Sequence, residues 1–80
     1  KNEVRYYYYH SNALLVINSR GLIRVVYTPF RVRCVDSVES IPKNAFVYVE
    51  EILSTENDKL HYLITGKPIA HHHFSILINF

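Results

Sequence analysis

The sequence predicts an all-β domain: a small, strongly bent barrel of five to seven short antiparallel strands with at most one helical turn. Three observations carry this. Short runs rich in Val, Ile, Tyr and Phe recur along the chain, turn residues separate them, and no long stretch keeps a helical period. With 80 residues the chain is a single domain. So many strands in so short a chain cannot build two full sheets, which makes strong bending the economical arrangement.

Residues 4–10 form the first strand and contain four consecutive tyrosines, Tyr6, Tyr7, Tyr8 and Tyr9. Strand alternation sends two of them to the core and two to solvent. After Ser11 and Asn12, residues 13–17 are apolar without interruption, as expected of a strand buried on both sides or running through the centre of a barrel. Asn18-Ser19-Arg20-Gly21 then turns tightly into a strand over residues 22–28, with Gly21 able to take positive φ. Pro29 cannot donate to a ladder and marks a strand edge, a kink or a bulge.

Phe30-Arg31-Val32-Arg33-Cys34-Val35 alternates most cleanly, placing Phe30, Val32 and Cys34 on one face and Arg31 and Arg33 on an exposed one. Residues 36–44 are polar, contain Pro42, and read as a loop with a short turn near 40–43. A strand resumes over 45–53, where adjacent Glu50 and Glu51 interrupt alternation and mark a bulge or the point where the strand leaves its sheet. Residues 54–58 are the most turn-like of the chain. Residues 59–65 and 69–73 pair as a hairpin closed by Gly66-Lys67-Pro68, and 74–80 supply the last strand. One helical turn fits only near 73–75.

From Phe30 onward this order resembles the SH3-like barrels. The resemblance rests on Ile41-Pro42-Lys43-Asn44-Ala45-Phe46-Val47-Tyr48-Val49-Glu50-Glu51-Ile52, similar to the loop and strand that enter the second half of such barrels. It rests also on the hairpin of residues 60–69 and on the turn at 72–75 before a short closing strand. It covers residues 30–80 and implies a barrel of that class, with an OB-type barrel as the alternative. The acidic-aromatic motif and the tryptophan with which eukaryotic SH3 domains hold Pro-rich peptides are missing, so peptide binding is not implied with the fold.

A chain of this size buries only about 60% of its unfolded surface. It compensates with 49% hydrophobic residues, and in the absence of Trp and Met its seven Tyr and four Phe must fill the core. The single cysteine, Cys34, excludes an internal disulfide and a Cys-rich zinc site, and its apolar neighbours suggest a buried thiol. The strongest apolar runs are far shorter than the roughly 20 residues that span a bilayer, and no signal peptide is visible. The expectation is a soluble domain of open localisation. Its start at Lys1 rather than Met suggests that a tag, a leader or the rest of a longer protein preceded it.

Net charge is +2 but unevenly spread: residues 1–33 carry +5, residues 34–58 carry −5, and Lys59 and Lys67 restore the balance. Pairing of the two halves in one sheet implies mutual neutralisation across strands. The sharper alternative is a bipolar surface whose basic face meets an acidic partner or a phosphate backbone.

Chemistry has few places to sit. His71 and His73 share a face if their segment is a strand, and a cross-strand His61 completes a weak metal site. Against it, no acidic partner stands nearby in sequence to orient the imidazoles. Cys34 lacks the open, electropositive setting of a nucleophile. Glu50 and Glu51 diverge to opposite faces, and no glycine loop cradles a phosphate. We therefore expect no enzyme, no cofactor and no small-molecule substrate. The expected role is a non-catalytic protein-interaction or self-assembly module, its contact surface combining Arg31 and Arg33 with the exposed tyrosines of Tyr6 to Tyr9. The alternative is a single-stranded nucleic-acid binder that stacks bases on Tyr6, Tyr8, Tyr27 and Tyr48 beside Arg24, Arg31 and Arg33.

Overall fold

In the computed structural model the described residues are 4–55, 57 and 59–78. They contain nine short strands and one 3₁₀ turn, so the all-β expectation holds. The strand count exceeds the expected five to seven. The hydrogen-bonded ladders form three separate three-stranded antiparallel sheets and do not close into one barrel.

The first sheet is a meander of β1 (Arg5–His10), β2 (Ala13–Ile17) and β3 (Ile23–Tyr27). Asn18 builds the turn into β3: its Oδ1 accepts the backbone N–H groups of Arg20 and Leu22, each at 2.9 Å. Gly21 adopts φ +82°, a conformation that L side chains rarely reach. The expected split of the four tyrosines fails. Only Tyr6 packs against the core, while Tyr7, Tyr8 and Tyr9 are exposed. The cause is that β1 lies at a sheet edge, its register slips between Tyr8 and His10, and no described residue covers the face that carries Tyr7.

β4 (Phe30–Cys34) is the middle strand of the second sheet, between β5 (Phe46–Val49) and β9 (Phe74–Ile76). Its alternation is as expected, with Phe30, Val32 and Cys34 buried and Arg31 exposed. Arg33 is only half exposed because its guanidinium Nη1 donates to Asn44 Oδ1 at 2.8 Å. The loop over 36–44 folds back on itself through a bridge between Val38 and Ile41, with Glu39 and Asn44 at positive φ.

The third sheet joins β6 (Glu51–Ser54), β7 (Leu60–Ile64) and β8 (Lys67–Ala70). The interruption read at Glu50 is real. This single residue separates β5 from β6 and hands the chain from the second sheet to the third, its N–H already donating to the Leu63 carbonyl at 2.8 Å. The hairpin turn is shorter than expected: Thr65 (φ +48°) and Gly66 (φ +78°) make it alone. Lys67 and Pro68 belong to β8, where an outer strand tolerates a proline. Residues 71–73 are not a strand but the 3₁₀ turn His71–His73, two residues before the expected place. Residues 56 and 58 of the expected turn, and 79 and 80 of the expected last strand, lie outside the described residues.

One buried cluster serves all three sheets: Leu14 and Val16 from the first, Phe30, Val32, Cys34, Val49 and Phe74 from the second, and Ile52, Leu60, Tyr62, Ile64 and Ile69 from the third. Tyr62 is its largest fully enclosed side chain. Its ring stands perpendicular to Phe30 at 5.7 Å and tilted against Phe74 at 6.1 Å. Among the described residues no helix is long and apolar enough to cross a membrane.

Thr65 is a strained point of this fold, a β-branched residue held at positive φ in a two-residue turn that favours Asn-Gly. Thr65→Asn is expected to raise stability by roughly 0.5–1 kcal/mol, despite losing the Thr65 Oγ1 bond to the Ile64 carbonyl. A urea midpoint shifted upward with an unchanged slope checks it.

Candidate binding surfaces

The meander has two unlike faces. One turns Leu14 and Val16 into the core. On the other, cross-strand register lines up Tyr7, Leu15 and Val25 in one row and Arg5, Ile17 and Ile23 in the next, with Tyr27 opposite Ala13 at the end. Tyr7 is 44% exposed, Ile23 60% and Tyr27 63%, values too high for residues that pack within their own domain. Sequence reasoning did not find this face. It read residues 13–17 as buried on both sides or running through the centre of a barrel, whereas among the described residues the second side of β2 is shielded only by its neighbours. The one available signal was that residues 22–28 are almost as apolar as residues 13–17, leaving no polar face for the pair.

A second surface lies on the outer side of β4 and β5, where Arg31 faces Tyr48 and Arg33 faces Phe46. The Arg31 guanidinium sits 5.1 Å above the Phe46 ring, a contact worth about 0.5–1 kcal/mol at an exposed site. The structure thus unites Arg31, Arg33 and Tyr48, and adds Phe46, which the sequence reading had not selected. Tyr6, Tyr8 and Arg24 do not join them. They sit on the first sheet, with Tyr6 and Arg24 flanking Val16 in one row, so the expected union of Arg31 and Arg33 with the tyrosine run is not formed within a sheet.

Mutual neutralisation across strands is also not what the fold builds. Arg5, Arg24, Arg31 and Arg33 face Ile17, Val16, Tyr48 and Phe46 respectively. The ion contacts among the described residues are an exposed Lys67–Glu39 pair at 3.8 Å and His73 on Asp36 at 2.8 Å. Arg31 instead lies over the Phe46 ring, and Arg33 donates to the Asn44 amide.

The histidines do not form one cluster. In the 3₁₀ turn the His71 ring packs by Tyr6 and Tyr62, while the His72 and His73 rings lie together with centres 4.1 Å apart. His71 Nδ1 meets the Leu60 carbonyl at 3.2 Å, and His73 Nδ1 meets Asp36 Oδ1 at 2.8 Å. His61 Nδ1 is buried without a partner. The expected set of His61, His71 and His73 is not brought together, and no three metal-ligating groups converge among the described residues. Cys34 is buried, its thiol donating to the Asp36 carbonyl at 2.9 Å.

A third feature is a cleft of about 500 Å³ between β1 and the third sheet, lined by Tyr6, Tyr7, Tyr8, Ser54, Leu60 and His71. The rings of Tyr6 and Tyr62 both stand steeply inclined to the His71 ring, with centres 5.9 and 6.2 Å away. Burial pushes the His71 imidazole below its ordinary value; the Leu60 carbonyl pulls the other way, and His72 and His61 add to the lowering. The neutral ring donates from Nδ1, since a carbonyl can only accept, and keeps Nε2 as an acceptor. No protein-family model, curated protein or solved structure matches this chain.

A depressed folded-state value means that stability is present above the ordinary histidine value of 6.5 and is lost as pH falls below it, because the unfolded chain takes up a proton that the folded chain resists. Urea midpoints should therefore decline from about pH 6.5 downward. His71→Gln should flatten that decline; an identical pH profile in the variant would assign it to other groups.

Proposed function

We propose that this domain is a non-catalytic binding module, a protein-interaction or assembly unit working through the outer face of the β1-β2-β3 meander. The observation that carries this reading is the exposed patch of Tyr7, Ile23, Val25 and Tyr27 around half-buried Leu15 and Ile17, which no described residue covers. Contiguous apolar surface of this kind on a small domain marks a place where another molecule sits. Tyr and Ile there offer large contact area, and burying each is worth about 1.5–3 kcal/mol. An SH3-like barrel over residues 30–78 is the scaffold we propose for it. Support comes from the pairing of β4 with both β5 and β9, the passage of one strand between two sheets at Glu50, and the 3₁₀ turn just before β9.

The second reading, single-stranded nucleic-acid binding, is favoured by one observation: Arg31, Arg33, Phe46 and Tyr48 alternate as cations and rings on the outer face of β4 and β5. Such a checkerboard suits bases stacked beside a phosphate backbone.

For the module reading, sedimentation is expected to show concentration-dependent association, weakened by at least about tenfold in an Ile23→Glu, Tyr27→Ser double variant that melts like the wild type. A wild type that stays monomeric, and that cross-links to the same partners as the variant, removes this face from the function. For the nucleic-acid reading, oligonucleotide affinity should fall steeply with salt and drop in Arg31→Ala, Arg33→Ala. Unchanged affinity in that double variant sinks it.

A further inference from the structure

β1 and β6 are both edge strands, and they face one another. A backbone bond from the Ile52 N–H to the carbonyl of Ser11, in the turn that follows β1, ties β6 to that turn at 2.7 Å. No ladder joins β1 to β6 among the described residues, and the cleft with Tyr6 and Tyr8 on one side and Ser54 and His71 on the other lies between them. Since the Ile52 N–H points away from β7, the two-residue period of the strand turns the N–H and C=O of Ser54 to that same side. Ser54 Cα pairs with Leu60 on the far side. Among the described residues no backbone bond from another element fills the gap between Tyr6 and Ser54.

We propose that this cleft takes an extended, uncharged peptide segment that adds its backbone to the free edges of β1 and β6. Backbone groups on both walls call for a strand rather than a helix or a small planar molecule. Among the described residues no Asp, Glu, Lys or Arg lines the cleft, which suits a neutral segment. The volume, about 500 Å³, lies within the roughly 300–1,000 Å³ of ordinary ligand clefts and holds a few residues of extended chain. Specificity comes from the side walls. Tyr6, Tyr8 and Leu60 accept an apolar side chain, and the Ser54 hydroxyl and the free Nε2 of His71 accept a donor from the next residue facing the same way. The inference deepens the interaction-module reading and rests on it, and apart from Tyr7, which borders both, it uses residues other than those of the outer face of the meander.

The test is a titration of isotope-labelled protein with the capped peptide acetyl-Val-Ser-Val-Ser-Val-amide, followed by backbone amide signals. The same peptide N-methylated at alternate amides serves as the control. Shifts at Tyr6, Tyr8 and Ser54 and at the His71 ring are expected, with slowed amide exchange at Ser54 and an affinity at least about tenfold lower for the N-methylated form. Ser54→Pro, which removes the β6 donor, should lower affinity similarly; should it unfold the domain, the N-methylated peptide still decides. Equal binding of the two peptides, or no response at these groups up to the solubility limit, overturns the proposal. Shifts confined to Ile23, Val25 and Tyr27 also overturn it, while leaving the module reading intact.

Discussion

The enclosure of Tyr62 is the constraint on which the rest of this structure depends. No hydrogen-bond ladder unites the three sheets, so what fixes their relative placement is the apolar cluster they share, and Tyr62 is its largest fully enclosed member. Its ring is packed by Phe30 and Phe74 of the second sheet and by His71 of the 3₁₀ turn. Burial pushes its phenol well above the usual range, with Tyr6 adding to the shift, so the side chain stays neutral wherever the fold persists. In a chain with neither Trp nor disulfides, one aromatic contact set of this kind substitutes for the larger core that 80 residues cannot provide.

His71 links that core to the surface. Its imidazole is tied to the Leu60 carbonyl and stands steeply inclined to the rings of Tyr6 and Tyr62, so packing of the interior sets the shape of the β1–β6 cleft. The neutral state of the ring follows from the same enclosure. The neighbouring histidines serve different ends: His73 fastens the turn to the loop at Asp36, and His72 stacks on His73 with ring centres 4.1 Å apart.

The arginines show how weak the pull of charge is against that of packing. Exposed ion pairs contribute between about 0 and 1 kcal/mol, too little to set strand register. Register is chosen by which residues must enter the core, and this places Arg31 and Arg33 opposite Tyr48 and Phe46. A basic and aromatic surface is thus a consequence of burying Phe30, Val32 and Cys34 on the other side of β4.

The sequence by itself determined the all-β class, the alternation of β4, the Asn18 turn and the break at Glu50, because each rests on local rules: two-residue periodicity, positive φ at glycine, and adjacent charges interrupting a strand. Local rules do not say what lies over a strand. The tertiary structure alone decided that no described residue covers the outer side of β2 and β3, that Tyr8 and Tyr9 are exposed, and that His71 to His73 coil into a 3₁₀ turn. It also decided that β1 and β6 part to leave a cleft. The physical reason is the same throughout: burial and side-chain convergence depend on contacts between residues far apart in the chain, and these exist only once the three sheets have closed around Tyr62.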